Sequence, residues 1–141
     1  MWLDCKTNWQ AKVSPDGEYL GDYFNAADYN RIVNNLAYLH TLAEKMYRNH
    51  KSPALAAHKE VGAYYYADEL NSIEDGLEKL NVQTVNTEIG NKKTFMSNGP
   101  SIDFNELNRI ESAMLNIYGK LTNQYDGRRK LKFKLGTKGG F

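Results

Sequence analysis

A chain of 141 residues, 41% hydrophobic and 25% charged, fits one domain with a core of its own and excludes a wholly disordered chain or two independent cores. The lone Cys5 excludes an internal disulfide and a cysteine-rich metal cluster. The opening Met1–Lys6 lacks the apolar run of a signal peptide, and no stretch approaches the roughly 20 apolar residues of a membrane span, so an aqueous compartment with no membrane attachment is expected.

Residues 1–24 read as an extended N-terminal arm, and residues 25–127 as a helical domain opened three times by one motif. Laid side by side, Phe24-Asn-Ala-Ala-Asp-Tyr-Asn-Arg-Ile32, Tyr65-Tyr-Ala-Asp-Glu-Leu-Asn-Ser-Ile73 and Ile102-Asp-Phe-Asn-Glu-Leu-Asn-Arg-Ile110 align without gaps. Each carries an acid, an apolar residue, Asn, a variable position and Ile, and such recurrence marks a repeated supersecondary unit. In the first and third copies Asn25 and Asp103 stand as N-caps, with Asp28 and Glu106 three residues on to complete capping boxes. Phe24 with Tyr29, and Ile102 with Leu107, have the spacing of hydrophobic staples. Helical periodicity follows through Tyr29, Ile32, Val33, Leu36, Leu39, Ala43 and Met46, and through Leu107, Ile110, Met114, Ile117 and Leu121.

The middle copy places Leu70, Ile73, Leu77 and Leu80 on one face, but Tyr66 stands where a cap belongs. Ser52-Pro53 offers an earlier start, giving one longer helix bent or interrupted near Gly62. Residues 81–101 have no helical period and read as a loop that leaves room for a weak hairpin. Tyr125-Asp126-Gly127 signals a turn, and Leu131-Lys-Phe-Lys-Leu135 alternates apolar with basic, which predicts a short one-sided strand. The expected fold is therefore mainly α: a bundle of three to four amphipathic helices with a short C-terminal β-strand and at most a minor hairpin, residues 128–141 forming the basic strand and tail.

The tail concentrates charge. Arg128, Arg129, Lys130, Lys132, Lys134 and Lys138 stand there without an acid, so a net charge of +1 leaves −5 on residues 1–127. Such a tail suits nucleic acid or an acidic protein face, and its strand-like alternation favours the protein. Leu131, Phe133 and Leu135 are then partner-binding candidates, with Phe141 as a terminal anchor. Tyr64, Tyr65 and Tyr66 join them, since three consecutive rings on a helix cannot all be core.

Asn30, Asn71 and Asn108 recur although Asn is an indifferent helix former, which suggests that each ties its helix to a neighbouring backbone. His40, His50 and His58 are too widely spaced for ligands on one helix face, and no metal or cofactor is expected. Adjacent acids such as Asp68-Glu69 and Glu74-Asp75 read as solvated helix faces rather than as an acid–base pair, and no catalytic residue is assigned.

The wording of Lys6-Thr-Asn-Trp9, Asp22-Tyr-Phe-Asn25, Asp28-Tyr-Asn-Arg-Ile32 and Asn35-Leu-Ala-Tyr-Leu39 resembles small virion structural proteins, and the opening domains of longer tail proteins, of bacteriophages that infect Gram-positive bacteria. Glu69-Leu-Asn-Ser-Ile-Glu74, Glu106-Leu-Asn-Arg-Ile-Glu111 and Lys130-Leu-Lys-Phe-Lys-Leu-Gly136 extend the resemblance over most of the chain. It implies a non-catalytic tail, baseplate or fibre-attachment component, made in the host bacterial cytoplasm and built in several copies into the virion among other phage structural proteins. The second copy departs from the pattern in Ser72 and in its missing cap. The alternative reading is a small nucleic-acid-binding regulator that uses the basic tail, with Arg31 and Arg109.

Overall fold

The computed structural model describes residues 1–55, 57–62, 65–97 and 102–137, and in 128–137 the backbone alone. Three helices, α1 (Ala26–Met46), α2 (Ala67–Gln83) and α3 (Phe104–Thr137), pack pairwise around one core. The chain is mainly helical, as the periodicity predicts.

Each helix starts where its motif starts. Asn25 accepts from the N–H of Asp28, whose carboxylate accepts from the N–H of Asn25 in return, so the box at α1 is complete. At α3, Asp103 accepts from the N–H of Glu106 at 2.8 Å. Tyr66 caps α2 with no side-chain acceptor, yet Glu69 accepts from the Tyr66 N–H, which keeps half of the reciprocal pair. The helix therefore begins at Ala67, not at Ser52-Pro53. No described residue from 47 to 66 is helical, and the half-box at Tyr66, with acids in the first turn, suffices to start α2 there.

The apolar stripes meet in one cluster: Tyr29, Ile32, Leu36 and Leu39 from α1, Ile73, Leu77 and Leu80 from α2, and Leu107, Ile110, Met114, Ile117 and Leu121 from α3. The three motif isoleucines are equivalently deep, Ile32 at 1%, Ile73 at 3% and Ile110 at 0% exposure, and each such burial is worth about 1.5–3 kcal/mol. Trp9 joins the same cluster from the N-terminal segment, so that segment packs onto the helical body. Gly76 lets α2 approach closely, since a Cβ there would lie 2.9 Å from side-chain carbons of Leu36 and Leu55.

One expected β element, the C-terminal strand, is corrected, and the described part of 81–101 beyond α2 is the loop expected there. Residues 131–135, and the turn signal at 125–127, lie inside α3. Five alternating residues are a weak signal against an established helix, because extending a helix adds a hydrogen bond per residue whereas a lone strand leaves its backbone groups unpaired. No β-bridge forms in the described part of 81–101. The single bridge described pairs Val13 with Tyr19, inside the arm expected to be extended.

Candidate functional site

The motif asparagine is the fifth residue of each helix, and in all three it grips a backbone from both sides. Asn30 donates to the Lys59 carbonyl at 2.8 Å and accepts from the Lys59 N–H at 2.6 Å. Asn71 does the same to Phe95 at 2.9 and 2.7 Å, and Asn108 to Trp9 at 2.9 and 2.7 Å. A side-chain amide carries one donor side and one acceptor side, so it replaces the strand partner that an extended residue would otherwise need. The arrangement is cyclic. The Asn of α1 holds the segment leading into α2, that of α2 the segment leading into α3, and that of α3 the segment leading into α1.

A second set of polar residues follows the same order. Arg31 and Arg109 are the sixth residues of α1 and α3, while Glu74 and Glu111 are the eighth residues of α2 and α3. Arg31 pairs with Asp28 in its own first turn and reaches both oxygens of Glu111 at 2.8 Å. Arg109 pairs with Glu106 and reaches Glu74 at 2.6 Å. Burial works against the charge of each guanidinium, but the hydrogen bonds to its two carboxylates outweigh it and raise both pKa values. Gly90, at φ +79°, lies against the Arg109 side chain, where a Cβ would stand 2.6 Å from Cδ. The third position of the cycle has neither partner: Ser72 replaces the cation and Val33 the acid.

Both acids are fully engaged. Glu111 also accepts from the Lys6 N–H and from Trp9 Nε1–H at 2.7 Å, and Glu74 from the Lys93 N–H at 2.6 Å. Glu74 is thus buried, at 2% exposure, and not part of a solvated face. An adjacent-acid pattern cannot reveal this, because the guanidinium that admits the carboxylate is 35 residues away in sequence. The sequence signal that was available is the shared register of Glu74 and Glu111 beside that of Arg31 and Arg109.

Other clamps lay outside the motif. Asn35 holds both backbone groups of Leu3, Asn81 both of Thr87, and Gln83 both of Lys51. Cys5 is half-buried near Asn35, and burial, with the Glu111 carboxylate, pushes its thiol up to about 11, which leaves it protonated at neutral pH.

The histidines sit differently from what their spacing suggests. His40 Nδ1 lies 2.8 Å from His50 Nε2, and His40 Nε2 lies 2.9 Å from the Gly76 carbonyl. A carbonyl only accepts, so His40 donates through Nε2 and receives the Nε2–H of His50 at Nδ1. Burial lowers the pKa of both rings, more than offsetting the Gly76 contact at His40, and His50 Nδ1 is buried without a partner. His58 is exposed. No group of three or more potential metal ligands occurs among the described residues.

Of the tyrosine run, Tyr65 packs against Phe24 and Tyr29, and Tyr66 is 59% exposed under the Lys59 ammonium. Tyr64 and Phe141 lie outside the described residues, as do the side chains of Leu131, Phe133 and Leu135. Among the described residues no helix is long and apolar enough to cross a membrane. No family model, curated protein or solved structure matches the chain.

Proposed function

We infer that the chain is a non-catalytic structural component of a phage particle, joining or attaching subunits in the tail, baseplate or fibre region. The observation that carries this reading is the use made of the recurring motif. Its asparagines and arginines, with two buried glutamates, are spent on locking connectors to helices, which makes a stiff body suited to holding neighbours at set positions. The resemblance of the same motif words to virion proteins points in that direction, toward a multi-copy assembly with other phage structural proteins in the virion. The runner-up, a nucleic-acid-binding regulator, would have to rely on the basic tail, since Arg31 and Arg109 are held by carboxylates.

Mass spectrometry of purified particles from the phage that encodes the gene tests the reading. The chain is expected at a fixed copy number per particle, and particles from a gene-deleted phage should lack a neighbouring tail component. Particles free of the chain, together with salt-sensitive binding of generic duplex DNA, would instead establish the regulator.

A further inference from the structure

The three amide clamps treat their segments alike, but one segment differs in kind. Those at Lys59 and Phe95 run between helices and cannot leave without dragging one along. Residues 1–9, held by Asn108, are joined to the helix that follows them, α1, by a longer and more exposed connection. They lie along α1 and α3, where Asn35 grips Leu3, Asn108 grips Trp9, Glu111 takes the Lys6 N–H, and Trp2 stacks on Tyr118 at 4.1 Å. Most of these polar contacts go to backbone. The groove is a seat for an extended peptide, the third of a set whose other two are filled by connectors.

Surplus chain separates this strap from its helix. Lys59 precedes Asn71 by 12 residues and Phe95 precedes Asn108 by 13, but Trp9 precedes Asn30 by 21. The surplus folds back as a hairpin with Pro15-Asp16-Gly17 at its tip, closed by one bridge and a few bonds such as Leu20 N–H to the Lys12 carbonyl and Asp22 N–H to the Gln10 carbonyl. No residue from 10 to 25 is buried, and Val13, Leu20 and Tyr23 are 62%, 54% and 69% exposed. Opened, these residues would span about 50 Å, enough to carry the strap to a neighbouring body.

We propose that the α1/α3 groove is a peptide-binding site for the strap of a second copy of this chain. The hairpin opens as a hinge, each copy donates residues 1–9, and the recipient groove makes the contacts it now makes to its own strap. Contacts are conserved, so concentration sets the balance between the closed and exchanged forms. The exposed apolar side chains of the hinge then run between two bodies. This deepens the multi-copy reading by naming the partner, and its tests need no particle, so either idea can fail without the other.

Two variants form the first test: Trp2→Ala/Trp9→Ala, with a damaged strap, and Asn35→Ala/Asn108→Ala, with a damaged groove. Refolded together, they should give a 1:1 heterodimer by light scattering, melting above either variant alone. Two species that keep their own masses and melting points would overturn the proposal. Should either variant fail to fold, the full chain with a protease site placed at Asp16–Gly17 is cut after folding. A fluorescent peptide of residues 1–9 should then enter the groove and displace the cut strap. A cut chain that stays folded and refuses the peptide, or one that unfolds on cleavage, would overturn it equally.

Discussion

Asn108 and Arg31 show how one side chain comes to hold distant parts of the chain. Asn108→Ala leaves the N–H and carbonyl of Trp9 partly buried without partners, which should lower stability by about 1–3 kcal/mol in urea unfolding. Arg31→Met is expected to cost more, about 3–5 kcal/mol in the same measurement, because Glu111, at 0% exposure, then keeps a buried charge with only neutral donors beside it. The histidine pair adds a pH dependence of known sign. Both rings have folded pKa values below the ordinary 6.5, so the unfolded chain binds more protons as pH falls. The stability is complete well above pH 6.5 and declines as pH falls through and below that value. Urea midpoints should drop between pH 7.5 and 5.5 in the parent, and the drop should shrink in His40→Gln.

At the level of elements, the three helix starts form a natural series. α1 has a full box, α3 an N-cap bond, and α2 only the reciprocal bond from Glu69. Supplying the missing acceptor in Tyr66→Asp should stabilise the protein by about 0.5–1 kcal/mol, less whatever the Lys59–Tyr66 contact contributes, as read by thermal melting. The distal part of α3 lies beyond Leu121, the last buried residue described.

Taken whole, the molecule is a cycle of three related units in which each helix secures the segment leading into the next. Two units carry the Arg–Glu pair, and the third, at Ser72 and Val33, lacks both partners together. The starts of α1 and α3, the core stripe and the depth of Ile32, Ile73 and Ile110 could be read from the sequence alone, because caps and periodicity are set by residues within a turn or two of each other. By contrast α2, lacking a side-chain cap, was expected to start as early as Ser52-Pro53 and starts at Ala67. The repeated Asn likewise announced a tie to backbone, though not to which backbone. What tertiary structure alone decided was the set of partners: Lys59, Phe95 and Trp9 for the amides, Glu111 and Glu74 for the guanidiniums, His50 for His40. Those pairings span 10 to 99 residues and leave no local pattern. The C-terminal alternation was local but ambiguous, since Leu and Lys serve a helix as readily as a one-sided strand. A helix already under way completes its own hydrogen bonds, and a strand cannot, so the backbone followed the helix.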